Sequence, residues 1–169
     1  MVNGFDGALT MLGLTMGFRI GGEATPELAV SACLGVAIAL GVSGVSSAYI
    51  SESAEREREL RELEQAMAQD LTGTEHALAA RLIPLIVALV NGFAPFVISL
   101  IVMVPLWLAA WGRSLIWPAL DMATALAFVV IFLLGVLLGQ VSGRFWLWTG
   151  ARAVIIGAVT AGLIVLFAA

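Results

Sequence analysis

Long apolar runs separated by short polar segments dominate the chain. A helix that crosses the hydrocarbon core of a membrane needs about 20 predominantly apolar residues. Runs close to that length predict five spanning helices, at residues 5–20, 28–50, 82–107, 122–138 and 153–167. None of these runs shows the period-two alternation of a spanning β-barrel. The pattern therefore predicts an all-α integral membrane protein with five transmembrane helices.

One strongly polar helix interrupts this pattern, over residues 49–70 with the sequence YISESAERERELRELEQAMAQD. It follows the second span without a glycine or proline, so we expect the second span to continue into water as one long acidic helix. The predicted organisation is two transmembrane helices in residues 1–50, an acidic helix and linker in residues 51–80, and three transmembrane helices in residues 81–169.

Composition supports the membrane assignment and excludes other classes. Hydrophobic residues make up 61% of the chain and charged residues 12%, and the mean hydropathy is +1.04. A chain of this length cannot hide so much apolar surface from water. The net charge of -4 argues against nucleic acid as a partner. The sequence contains no paired nucleophile and base, phosphate-binding loop or Cys/His metal cluster, so we expect neither an enzyme nor a bound cofactor.

Arginine positions predict the orientation in the bilayer, because cytoplasmic loops of membrane proteins are enriched in Arg and Lys. With a cytoplasmic N-terminus, Arg19 and Arg113 lie outside. The six remaining arginines then lie inside, namely Arg56, Arg58, Arg61, Arg81, Arg144 and Arg152. The rule therefore predicts that the N-terminus and the acidic helix are cytoplasmic.

Small residues recur at every fourth position in several spans. These stripes are Gly13, Gly17 and Gly21, then Gly135, Gly139 and Gly143, with the pairs Ala37/Gly41 and Gly44/Ala48 in the second span. Small side chains let the backbones of membrane helices approach closely. We therefore expect a tight bundle, with one stripe serving a homodimer in which two copies share a pathway.

Asp6 is an ionisable residue one turn inside the first span. Such a group costs about 2.5–3.5 kcal/mol at the centre of a membrane helix, and it usually faces a cavity or a partner. It could equally be an interfacial charge near a helix N-terminus. Further polar residues inside spans, which line a pathway or form interhelical hydrogen bonds, are Thr10, Ser43, Ser47 and Asn91.

The acidic helix carries a row of carboxylates that lie within an arc of about 80° on a helical wheel. This row consists of Glu52, Glu55, Glu59 and Glu62. Hard divalent cations prefer oxygen ligands, so the row is a candidate metal site, and Asp6 is a separate candidate ligand inside the first span. The same sequence spaces glutamates and arginines four residues apart, which is also typical of an ordinary solvated helix. His76 is either a further ligand or an exposed loop residue.

Three segments, in their order and spacing, resemble the vacuolar iron transporter family of five-span proteins. They are DGALTMLGLTMG from Asp6 onward, SSAYISESAERE, which leaves the second span, and GQVSGRFWLWTGARAVIIGAVTAG, which joins the last two spans. The family places a larger three-helix domain where this chain has only residues 51–80.

The resemblance implies a dimeric exporter of Fe²⁺ or Mn²⁺ from the cytoplasm, coupled to protons and located in a prokaryotic cell membrane. Asp6 would correspond to the family's aspartate in the translocation path, and Glu55 to a ligand of its first metal-binding helix. An alternative from another class stays open. In that alternative the protein is a non-transporting membrane scaffold or assembly partner whose charged helix binds another protein.

Overall fold

The computed structural model describes residues 2–22, 25–67, 74–143 and 145–168, and the regular structure within these ranges is α-helical. Five helices follow one another along the chain: α1 (Val2–Gly21), α2 (Pro26–Met67), α3 (Glu75–Ala110), α4 (Ala119–Val141) and α5 (Trp146–Ala168). The predicted all-α class is confirmed.

Helices α2 to α5 are each long and apolar enough to cross a membrane. Helix α1 has 20 residues, but Asn3, Asp6 and Arg19 lower its mean hydropathy, and it does not reach the same apolarity. Large apolar side chains such as Leu89, Phe93 and Leu166 are exposed on the bundle, as lipid contact requires. The described fold is therefore consistent with a helical, multi-pass membrane protein.

Helix α2 runs without a break for 42 residues, from the apolar run through the acidic segment. The predicted continuity of these two segments is confirmed. Pro26 occupies the first helical position, and the Thr25 hydroxyl caps the helix by accepting the Leu28 N–H at 3.3 Å. At 1.5 Å per residue the helix is about 63 Å long, roughly twice the thickness of a hydrocarbon core. We use the term stalk for residues 52–67 of α2 with the facing residues 75–83 of α3.

Helix α3 contains Pro84, Pro95 and Pro105, yet it is one helix from Glu75 to Ala110. The helix begins seven residues before the predicted span at residue 82, so the segment that leads into this span is helical as well. All three prolines are buried, and α3 packs against α1, α2 and α4. Each proline leaves a carbonyl one turn earlier without its helical donor, so the central position of α3 gives neighbouring helices access to these groups.

Glycines bring two helix pairs into backbone contact. Between α2 and α3, a Cβ added at Gly92 would lie 2.5 Å from the Gly41 carbonyl oxygen. Between α4 and α5, a Cβ at Gly135 would lie 2.9 Å from the Gly150 Cα. Both distances are too short for any real side chain, so these glycines are packing residues. The expected close approach of the helices is therefore present within one chain at the small residues of α2 and α4.

The connection between the last two helices is shorter than the sequence suggests. Residues 139–152 were predicted to form a polar link, but α4 continues to Val141 and α5 begins at Trp146. Gly139 and Gly150 lie inside helices and pack between α4 and α5. In this connection, among the described residues, Gly143 adopts a positive φ, of 65°, which favours glycine.

Candidate functional site

Helix α1 carries Asp6. The position of this helix depends on Gly7, the residue next to Asp6. A Cβ at Gly7 would lie 2.5 Å from the carbonyl oxygen of Pro95 and 2.9 Å from its Cα. Those atoms belong to the backbone of α3, which cannot rotate away as a side chain can. Glycine at position 7 is therefore the condition for the close contact between α1 and α3.

Pro95 also provides a polar attachment point for α1. A proline has no N–H, so the carbonyl of Asn91, four residues earlier, loses its helical hydrogen bond. The Nδ2 group of Asn3 donates to this Asn91 oxygen at 3.4 Å. Asn91, predicted as a pathway residue, thus contributes its backbone carbonyl to holding the start of α1.

Two further polar contacts join α1 to α4. The hydroxyl oxygens of Thr15 and Thr124 lie 3.2 Å apart in the buried interface. At the opposite end of α1 from Asp6, Arg19 Nε lies 3.0 Å from Asp121 Oδ1. That oxygen is shielded from solvent and makes no aligned hydrogen bond within the described structure, so the contact with Arg19 is an electrostatic one.

Asp6 lies on the face of α1 that points away from these contacts, and it is exposed. Thr10, Gly13 and Gly17 share this face, within about 40° of Asp6 on a helical wheel. Within the described structure, a Cβ at Gly17 would meet no atom within 4 Å, and one at Gly13 would meet only Ile164 Cδ1, at 3.7 Å. We refer to residues 6, 10, 13 and 17 as the open face of α1.

The depth of Asp6 follows from contacts between α1 and α4. Gly4 packs against Leu134, and Thr15 against Thr124. Interpolation at equal rise per residue puts Asp6 level with about residue 132 of α4. Helix α4 extends from Ala119 to Val141, so Asp6 lies about 3 Å from the level of its midpoint. Relative to α4, Asp6 thus lies nearer the middle of the helix than either end.

The predicted pathway residues are only partly brought together. Asp6 and Thr10 share the open face of α1. Ser43 and Ser47 are exposed on α2, where Ser47 Oγ donates to the Gly44 carbonyl of its own helix at 3.5 Å. Helix α1 makes few contacts with α2, and no hydrogen bond in the described structure joins these serines to Asp6.

Two arginines form ion pairs with three of the four glutamates in the predicted metal-binding row. Arg56 lies between two of them, 2.9 Å from Glu52 and 2.8 Å from Glu59. Arg58 Nε lies 2.9 Å from Glu62 Oε1. The hydrogen bond to Glu52 raises the pKa of Arg56, and the hydrogen bond to Glu62 raises the pKa of Arg58.

Glu55 is the member of the row that makes no ion pair within the described residues. Among all the residues that the structure describes, no group of three or more His, Cys, Asp or Glu side chains is arranged to hold a metal ion. His76 belongs to the first turn of α3 instead of a loop, and its side chain lies outside the described structure, as does Arg144.

Asn3, Gly7, Pro95 and Asp121 determine the position of α1, and none of them was predicted to do so. A signal was present for the first three. Pro95 identifies Asn91 as a residue whose carbonyl needs an outside donor, and Asn3 lies one helical turn before Gly7. The sequence does not show that these two helices are neighbours, so the pairing became visible only in three dimensions.

No protein-family profile matches the chain, and no solved structure matches it. The chain is similar to an uncharacterized protein of Methanocaldococcus jannaschii. The two are 27% identical over 152 residues, which cover 88% of this chain and 76% of the relative. Because the relative is uncharacterized, the similarity does not test the resemblance to vacuolar iron transporters, which stays a hypothesis.

Replacing Gly7 with Ala should weaken the attachment of α1, because the new Cβ meets the backbone of Pro95. We expect a loss of about 1–3 kcal/mol in the free energy of unfolding, the usual range for overpacking. Thermal unfolding in detergent measures it. Gly35→Ala, at an exposed position of α2 where an added Cβ meets no described atom within 4 Å, is the matched control and should not be destabilised. Equal stability of both variants would contradict the tight contact.

Proposed function

We propose that the protein is a homodimeric membrane transporter that exports Fe²⁺ or Mn²⁺ from the cytoplasm in exchange for protons. One observation carries this proposal. Asp6 lies near mid-depth of the bundle on the open face of α1, with no ion pair to a described residue. An unpaired carboxylate at that depth is unfavourable in lipid and usually marks a transport path.

The chemistry of Asp6 supports ion exchange. A carboxylic acid must lose its proton before it coordinates a metal ion, so the Asp6 carboxylate binds either a proton or a cation. Carboxylate and hydroxyl oxygens are suitable ligands for hard divalent ions, and Thr10 adds a hydroxyl one turn further along the same face. Loading the metal on one side and a proton on the other would couple the two fluxes.

A second copy of the chain is the partner that best fits the open face. Among the described residues, Gly17 and Gly21 have no atom within 4 Å of an added Cβ, whereas Gly41 and Gly44 of α2 and Gly135 and Gly139 of α4 are packed within the chain. Small-residue stripes of this kind allow close helix contact. Pairing two open faces would remove both Asp6 side chains from lipid and enclose them in a shared pathway.

Five spans and a cytoplasmic stalk complete the proposed topology. Asp6 and Asn91 lie nearer the stalk end of the bundle than the Arg19–Asp121 pair does. Helix α1 therefore extends alongside the other helices. Arg56, Arg58 and Arg81 lie at the stalk end, and Arg113 lies at the other. The positive-inside rule then favours a cytoplasmic N-terminus and stalk, in a prokaryotic cell membrane.

In this proposal the stalk concentrates metal ions near the entrance to the pathway. Glu55 would be the first ligand available, because it makes no ion pair with the described arginines. Glu52, Glu59 and Glu62 could join only by releasing Arg56 or Arg58. Metal capture by the carboxylate row is therefore in competition with its ion pairs.

Those ion pairs also favour the second candidate, a non-transporting scaffold whose stalk binds another protein. A helix with neutralised glutamates is stable in water without metal. The two candidates differ in whether Asp6 matters to ion flux, because a scaffold has no use for a carboxylate at that depth.

Asp6→Asn should abolish metal-dependent proton flux in proteoliposomes, because an amide neither releases a proton nor carries the charge that a divalent ion requires. Glu27→Gln is the matched control, since its carboxylate is exposed in the first turn of α2, at the end of the bundle away from the stalk. We expect that variant to retain flux. Wild-type flux in Asp6→Asn would show that the assignment of coupling is wrong.

Gly17→Cys should form a disulfide-linked dimer on oxidation, because the proposed interface brings the two open faces together. Cys33→Ala serves as the background, although the native thiol is buried. Gly162→Cys on α5, where an added Cβ also meets no atom within 4 Å, is the control and should stay monomeric on denaturing gels. Equal crosslinking at both positions, or none at position 17, would count against this interface.

Arg56→Gln should strengthen Mn²⁺ binding by the stalk, because it removes a positive charge from between Glu52 and Glu59. Glu55→Gln should weaken it. Isothermal titration of the detergent-purified protein measures both affinities, and Arg113→Gln at the other end of the bundle is the control. No Mn²⁺ binding by the wild type or by Arg56→Gln would favour the scaffold.

A further inference from the structure

Arg152 lies on an exposed part of α5, at a depth where a charged group is unusual. The next residue, Ala153, packs against Gly135 of α4. Helix α4 continues for six residues beyond Gly135, to Val141, which corresponds to about 9 Å. The backbone of Arg152 therefore lies well inside the apolar part of this helix pair.

The side chain of Arg152 carries its charge back toward the end of the helix. Its Cζ lies 5.1 Å from the centre of the Trp148 ring, and Trp148 precedes it by one turn, or about 6 Å. This direction is normal for long side chains on helices, and it brings the guanidinium close to the level of the polar headgroups. Phe145, Trp146 and Trp148 are all exposed there, as aromatic residues at a membrane interface commonly are.

The protein supplies no counter-ion for this guanidinium among the described residues. The ion pairs of the structure involve Arg19, Arg56 and Arg58, and none includes Arg152. The stalk glutamates belong to α2, which lacks substantial contact with α5. Arg152 is thus a fixed positive charge at a membrane interface, with an aromatic ring on one side and solvent or lipid on the other.

We propose that Arg152 and Trp148 bind the phosphate group of an anionic phospholipid in the leaflet on the stalk side. A guanidinium presents paired N–H donors, in its own plane, that match phosphate oxygens. Contact of one guanidinium face with an aromatic ring leaves these donors free. An indole N–H at the same level can add a further donor. This site rests on the membrane setting of the proposed function but not on metal transport.

Arg113 offers a matched comparison at the opposite end of the bundle. It is also exposed, and Trp111 and Trp117 lie in the same loop region. No ring lies beneath its guanidinium in the described structure. If anionic lipid were attracted simply to any interfacial arginine near tryptophan, the two positions would behave alike.

Native mass spectrometry of the full chain in detergent, titrated with phosphatidylglycerol or phosphatidylcholine, tests the site. We expect the first phosphatidylglycerol to bind at least about fivefold more tightly than phosphatidylcholine. Arg152→Gln should remove this preference, Arg152→Lys should retain part of it, and Trp148→Leu should reduce it. Arg113→Gln should leave it unchanged. Retained helical content by circular dichroism identifies the variants that have folded.

An unchanged preference in folded Arg152→Gln would overturn the proposal, and so would equal losses in Arg152→Gln and Arg113→Gln. A third arm adds inorganic phosphate. Displacement of phosphatidylglycerol by millimolar phosphate in an Arg152-dependent manner would assign the site to free phosphate and overturn the lipid assignment. Because lipid binding is measured without metal, a failure here is distinguishable from failure of the transport proposal.

Discussion

Close backbone contact at glycine is the constraint on which the bundle depends. Lipid tails are as apolar as leucine, so helices in a membrane associate through close packing and polar contacts instead of through the hydrophobic effect. Gly41 with Gly92 brings α2 against α3, and Gly135 with Gly150 brings α4 against α5. Gly7 against Pro95 then attaches α1 to the central helix. Without these contacts the helices would separate, and the polar groups they position would lose their neighbours.

Helix α1 has one small-residue face that packs within the bundle and one that is uncovered in the described structure. Gly7, Asn3 and Thr15 hold its inner face on α3 and α4, and this determines which way Asp6 points. The open face combines that carboxylate with Gly13 and Gly17. The exposed Asp6 therefore lies on a surface whose small residues allow a partner helix to approach closely. The proposal of transport between two copies rests on this combination more than on the stalk, whose glutamates are largely paired with arginines.

Several features were predictable from the sequence because they depend on local chemistry. The continuity of α2 follows from the absence of a glycine or proline between its apolar and acidic parts. The small residues of α2 and α4 correctly predicted close helix contacts. The start of α5 was missed because Gly139, Gly150 and the aromatic residues between them have the composition of a turn, although the glycines pack helices. Likewise, sequence spacing allowed the stalk glutamates to be either metal ligands or ion-paired. Only the geometry shows Arg56 between Glu52 and Glu59.

The central claim is that metal and proton compete for one carboxylate within the bundle, and a flux measurement on the wild-type protein tests it most directly. Liposomes containing the purified protein and a pH-sensitive dye are exposed to external Mn²⁺. The exchange mechanism predicts that Mn²⁺ entry is accompanied by proton exit, so the lumen becomes more alkaline in proportion to the metal taken up. Mn²⁺ entry with no change in lumenal pH, or no entry above protein-free liposomes, would contradict it.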